Sequence, residues 1–221
     1  MPGFIQGWRR ALKSREFRDQ FLVTLAALAV TLVLLSAFLN FIGARMGPVV
    51  DDPVLALIPG ANLLWITFTL IYAGFLIGVV SLALSPFSLL LALRALVVLL
   101  FLHALCLWLL PLDPPAGAVS LVDPFIRAPG FPRVPVRDLF FSWHIGLLSI
   151  LAFTSHWRDL KIVFASLTVA VSVLMLIQHA HYTIDLVAAP CFAYASCGFA
   201  RWITVEEVLP DRTTAGTILR G

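Results

Sequence analysis

Charge is what this sequence has least of. Only 12% of its 221 residues are Asp, Glu, Lys or Arg, against about a quarter in soluble domains. That scarcity excludes an ordinary soluble domain, and with it a basic soluble face for nucleic acid. Cysteine is scarce as well: Cys106, Cys191 and Cys197 all lie in apolar runs, and none forms a CxxC pair. The common zinc and redox motifs are therefore missing, and the three are expected to be small core residues. No cleavable signal peptide is expected, because the start is basic and amphipathic and the first apolar run is too long for a signal's core. No repeat of fixed period and no low-complexity segment occurs. No small-xxx-small stripe stands out as a dimer face, so the oligomeric state is left open.

What is present is apolar sequence in long runs. Hydrophobic residues make up 61% of the chain. A spanning helix needs roughly 20 mostly apolar residues. The runs predict an all-α, polytopic membrane bundle of about six transmembrane helices. The expected spans are Phe21 to Ile42, Asn62 to Leu84, Ser88 to Leu110, Leu139 to Ser155, Lys161 to Ala180 and Thr183 to Ile203. The segment Pro53 to Pro59 is expected near the interface. A longer loop rich in Pro, Gly, Asp and Arg joins the third and fourth spans. Residues 1–19 read as an interfacial amphipathic segment, centred on Phe4 to Phe17. Residues 20–204 form the membrane domain, and 205–221 a polar tail.

Lys and Arg near span ends set the orientation. Arg9, Arg10, Lys13, Arg15 and Arg18 place the N-terminal segment in the cytoplasm. Six crossings then put both termini inside, with Arg158 and Lys161 on the same side. The loop holding Arg127, Arg133 and Arg137 falls outside. The short loops fit a bacterial inner membrane.

Ionisable residues within spans are costly, so each must serve a purpose. Asp138, Ser142 and His144 open the fourth span. His179, His181 and Asp185 lie where the fifth ends and the sixth begins. Hydropathy alone brings both groups to one membrane face. On a helix, His181 and Asp185 share a side, about 5–6 Å apart at Cβ. A carboxylate there fixes the imidazole tautomer and makes the other nitrogen more basic. His144 is placed to give a proton to a leaving alkoxide. Two histidines and a carboxylate suffice for phosphoryl transfer in two steps without a metal, and no cofactor is expected. His103, in mid-span, reads as a helix-packing histidine.

These residues carry a resemblance. Asp138-Leu139-Phe140-Phe141-Ser142-Trp143-His144, preceded by Arg137, resembles the third motif of the sphingomyelin synthases, C-G-D-x-x-F-S-G-H-T. His179-Ala180-His181-Tyr182-Thr183-Ile184-Asp185 resembles their fourth, H-x-H-Y-T-x-D. The wider group is the type 2 phosphatidic acid phosphatase superfamily. The resemblance implies six spans, cytosolic termini and an outward site. It also implies that His181 is the nucleophile, Asp185 its orienting carboxylate and His144 the acid and base. Asp138 and His179 would support them. Ser142 would offer its hydroxyl or N–H to the phosphate, and Trp143, Tyr182 and Arg137 would lie at the substrate.

The chain departs from the pattern in places. Trp143 replaces the motif glycine, which lets backbone approach a phosphate closely, and Ile145 replaces threonine. Met175 stands where the wider signature has an arginine. Arg94 either matches a second-motif arginine or snorkels to the inner surface. Arg127, Arg133 and Arg137 are the candidate cations for phosphate. The expected activity is transfer of a phospho-headgroup from a membrane phospholipid donor to a lipid alcohol, a ceramide or a diacylglycerol. Hydrolysis at the same site is the alternative, and an inactive or purely binding membrane protein is the third reading.

Overall fold

The structure, a computed structural model, describes residues 2–42, 45–119 and 139–208. Seven α-helices and one 3-10 turn make up these residues, with no strand among them. They are α1 (Pro2–Lys13), α2 (Arg15–Ile42), α3 (Leu64–Ala83), α4 (Pro86–Leu109), α5 (Trp143–Thr154), α6 (Arg158–Ile177) and α7 (Thr183–Val208). The 3-10 turn is Leu55–Leu57. Five helices, α2, α3, α4, α6 and α7, are long and apolar enough to cross a membrane. The chain is a multi-pass helical membrane protein. Arg137 and Asp138, with Arg127, Arg133 and residues 209–221 of the polar tail, lie outside the described residues, while residues 205–208 continue α7.

The expected fourth span is where the structure differs. Its helix, α5, has 12 residues, about 18 Å at 1.5 Å per residue. That falls well short of a hydrocarbon core of about 30 Å. Nine of its residues, from Ile145 to Ala152 and Thr154, are buried. Hydropathy reads apolar sequence and does not say whether lipid or protein covers it. Here protein does. α5 is the centre of the bundle, packed against α3, α4, α6 and α7.

Glycines make that packing close. A Cβ on Gly78 would sit 2.6 Å from Leu151, one on Gly74 2.9 Å from Leu148, and one on Gly146 2.8 Å from Leu99. Gly74 and Gly78 are four apart on α3 and form a small-xxx-small face that sequence reading passed over. It serves packing within the chain, where α3 receives the leucines of α5.

The N-terminal segment also differs from expectation. α1 stops at Lys13, and Ser14 opens α2, its Oγ accepting from the Phe17 N–H at 3.3 Å. Phe17 belongs to α2 and is buried against Phe21 and Phe87. The Trp8 indole donates to the Ala83 carbonyl at 2.7 Å and fixes α1 to the end of α3. α4 starts cleanly, with Ser85 as cap and Pro86 at its first position. Of the cysteines, Cys197 is buried, Cys106 half-buried and Cys191 exposed, so Cys191 is not the core residue expected.

Arg94 neither reaches the histidines nor snorkels. It is buried, and its guanidinium donates to Thr204 Oγ1 at 2.9 Å, Thr24 Oγ1 at 3.4 Å and Gln20 Oε1. It ties α2, α4 and α7 together roughly 28 Å along α7 from Asp185, at 1.5 Å per residue.

Because Leu151 has little room beside Gly78, Gly78→Val should separate α3 from α5. We expect a loss of about 1–3 kcal/mol, read as a lower unfolding midpoint in detergent. Gly198, with open space around its Cβ position, should accept alanine with no loss.

Candidate active site

The chain's alternation brings the start of α3, the end of α4, the start of α5, the end of α6 and the start of α7 to one end of the bundle. The turn between α6 and α7 is its focus. α6 closes there with a Schellman motif: the Ala180 N–H donates to Met175 O at 3.1 Å and the His179 N–H to Leu176 O at 2.9 Å. The motif needs a left-handed residue, usually glycine, and His179 takes it with φ 52°. Its ring accounts for the choice. Nε2 lies 2.9 Å from the Ile58 carbonyl and Nδ1 3.3 Å from that of Ala116. Both polar atoms of His179 thus face loop carbonyls, and the residue forms part of the wall.

His181 is held differently. Nδ1 lies 2.9 Å from the Leu139 carbonyl oxygen and 3.4 Å from Asp185 Oδ2. A carbonyl oxygen only accepts, so Nδ1 carries a proton, and in the neutral ring the lone pair is then on Nε2. The closer partner is the backbone carbonyl, which sequence spacing could not reveal. Asp185 is fully buried. Its Oδ2 also accepts from the Tyr182 N–H at 3.0 Å. The expected His181–Asp185 pairing is present, shared with Leu139.

His144 stands in the first turn of α5. Its ring meets Phe68 of α3 edge-on at 5.8 Å and lies 3.9 Å from the Trp143 ring, centroid to centroid. Ser142 caps α5 by position only, making no side-chain cap bond. Its buried hydroxyl donates to Met175 Sδ at 3.6 Å. The residue standing where the phosphatase signature has arginine therefore engages Ser142. The first-turn N–H groups of α5 are left without that side-chain cap, as an anion site requires. The His103 ring packs edge-on to Phe141 at 5.4 Å. Phe141 in turn stacks on Phe192 of α7 at 4.3 Å.

Tyr182, expected at the substrate, is buried. Its hydroxyl donates to Asp113 O at 2.8 Å and accepts from the Val50 N–H at 3.1 Å. Sequence reading missed Asp52. Its Oδ2 accepts from the Thr183 N–H at 2.7 Å, and Oδ1 from the Thr183 hydroxyl at 3.1 Å. Oδ1 also accepts from Val54 and Leu55 N–H groups at 3.0 and 3.2 Å. One carboxylate therefore caps both the 3-10 turn and α7. An Asp ahead of Pro53 and a short apolar run was a local sign of the first cap. The second is a tertiary contact.

Charge at this end is mostly negative among the described residues: Asp52, Asp113 and Asp185 gather at the start of α7. Arg45 is turned to Trp108, donating to its carbonyl at 3.0 Å and lying 4.9 Å from its ring centroid. No group of three or more His, Cys, Asp or Glu among the described residues is placed to hold a metal ion. A cavity of about 310 Å³ lies at the opposite end of the bundle, away from the histidines. No protein-family model matches the chain, and no curated protein matches it.

Burial pushes the Asp52 carboxyl upward, but donation from Thr183, Leu55 and Val54 outweighs it, and the group lies below its ordinary value. A depressed folded-state value means the contact is in place above the ordinary carboxylate range and is lost as pH falls through the lower value. Hydrogen exchange should therefore show the Thr183 amide losing protection as pH drops from about 5 to about 2. Asp52→Asn should lower that protection at neutral pH and flatten its pH dependence. An unchanged profile in the variant would remove Asp52 from this role.

Proposed function

We propose that this chain is a membrane lipid phosphotransferase that works through a phosphohistidine at His181. The observation that carries the reading is the His181 imidazole, with Nδ1–H directed at Leu139 O and Asp185 Oδ2 and its other nitrogen left as a base. The matches to the two sphingomyelin synthase motifs give the reading its chemistry.

In the first step the Nε2 lone pair attacks phosphorus of a glycerophospholipid headgroup. The bond from phosphorus to the diacylglycerol oxygen breaks, and protonated His144 gives that oxygen its proton. Diacylglycerol leaves and the headgroup stays on His181. In the second step the primary hydroxyl of a ceramide- or diacylglycerol-type lipid attacks phosphorus. Neutral His144 takes the hydroxyl proton, the P–N bond breaks, and His181 is restored. Positive charge on the imidazole during attack is stabilised by Asp185. The N–H groups opening α5 face an anion favourably. Arg137, Arg133 and Arg127 supply the cationic partners a phosphate needs. Trp143, beside His144, narrows access and favours an alcohol over water.

The basic N-terminal residues favour a cytoplasmic N-terminus. Because α5, though short, carries the chain from one end of the bundle to the other, the C-terminus returns to the same side and the site faces outward, consistent with a bacterial inner membrane. Donor and acceptor keep their apolar chains in the bilayer while the phosphate meets the histidines at its edge.

The test uses purified protein in micelles with fluorescent ceramide and phosphatidylcholine, phosphatidylethanolamine or phosphatidylglycerol. A phospho-ceramide product and an acid-labile phosphoenzyme are expected, both lost in His181→Ala. His144→Gln should lower turnover about 10²–10⁴-fold, the usual worth of a positioned acid–base group. Diacylglycerol release without phospho-ceramide would make water the acceptor and the protein a hydrolase. A folded protein that turns over no donor sinks the catalytic reading.

A further inference from the structure

The end of the bundle opposite the histidines holds the cavity of about 310 Å³, between the α3–α4 turn, the α5–α6 turn and α1. Its lining includes Ser81, Ser85, Ser88 and Ser155, with Leu84 and Trp157. Two helices begin at it, α4 after Ser85 and α6 after Trp157. Helix starts direct N–H groups and positive dipole ends outward and favour an anion. At α6 no side chain caps those groups, and Asp159 in the first turn offsets part of the dipole. At α4 the side-chain cap bond is a long one, Ser85 Oγ accepting from Ser88 N–H at 3.4 Å.

Ser155 points independently to a ligand. It is only 4% exposed, and its Oγ has no hydrogen-bond partner among the described residues. A buried hydroxyl without a partner is unfavourable. Its neighbours on the wall are engaged: Ser81 donates to Gly78 O at 2.9 Å, and Ser85 accepts from Ser88.

We propose that this cavity binds a phosphate group, with the Ser155 hydroxyl as donor and the starts of α4 and α6 as its electrostatic complement. The surroundings favour a lipid as carrier of that phosphate. Leu82, Leu84 and Trp157 give the site apolar walls for glycerol and the first chain carbons. It lies at the ends of membrane-length helices. α1, fixed beside it through Trp8, carries exposed Arg9 and Arg10. The proposal does not depend on the activity assigned to the histidines, which lie at the other end.

Native mass spectrometry of the full chain in detergent tests it, with phosphatidylglycerol in one arm and inorganic phosphate in the other. Wild-type protein should retain phosphatidylglycerol, and Ser155→Ala should weaken retention about tenfold, as loss of one hydrogen bond to a charged group does. Leu84→Trp, which fills the cavity from an exposed position, should do the same and covers the case in which the alanine variant fails to fold. His181→Ala should bind as wild type does, which separates this site from the catalytic one. Binding of inorganic phosphate alone, lost in both cavity variants, would support the site and make free phosphate its ligand. Equal retention in wild type and both cavity variants, in both arms, overturns the proposal and leaves water as the partner of Ser155.

Discussion

The turn between α6 and α7 is the point from which the rest of this end of the molecule is fixed. In a membrane an unmatched backbone group has no water to turn to. The chain breaks its helix here, and the freed carbonyls of Ile177 and Gln178 accept from the Ala61 and Val119 N–H groups at 2.9 and 3.0 Å, while side chains of the turn hold the surrounding segments. Gln178 donates to Thr67 on α3 at 2.7 Å, His179 faces the carbonyls of Ile58 and Ala116, and His181 faces that of Leu139. Tyr182 and Thr183 then take up Asp113 and Asp52. Segments far apart in sequence are pinned to one short stretch. The orientation of His181 is a by-product of satisfying it.

Much of the bundle was legible in the sequence because long apolar runs between polar breaks have to be covered by lipid or by protein, and helices meet that need most simply. Both ends of α3 and α4, the end of α2 and the start of α7 fall close to the expected spans, whereas α2 begins earlier and α7 runs on further. What escaped was whatever depends on tertiary covering. α5 and a lipid-facing span look alike in hydropathy. Gly74 and Gly78 carried no signal until Leu148 and Leu151 came up against them. Arg94 was weighed as a phosphate ligand or a snorkelling residue, and its true partners, Gln20, Thr24 and Thr204, sit on two other helices.

The site was legible in the same uneven way. Spacing of four residues announced the pairing of His181 with Asp185, and the two meet at 3.4 Å, although His181 lies in the turn ahead of α7 and not on the helix itself. Spacing did not reveal that a backbone carbonyl at Leu139 lies closer to Nδ1 than the carboxylate. Nor did it reveal that His179, Tyr182 and Ser142 turn their polar atoms to the protein. Motif letters name residue types, whereas partners such as Met175, Asp113 and Asp52 are set by which loops the helices bring together. Three of the side chains singled out in the sequence are therefore engaged within the protein.

The shortness of α5 bears on how the molecule is made. A 12-residue helix is too short to be secured in a bilayer by its own length. Its burial draws on α3 and α4, made before it, and on α6 and α7, made after it. During synthesis, then, the start of the site waits in an unfinished cleft until the last helix arrives. Assembly of the histidine end and arrival of α7 become one event, and a chain truncated before α7 would lose the wall that holds α5 in place.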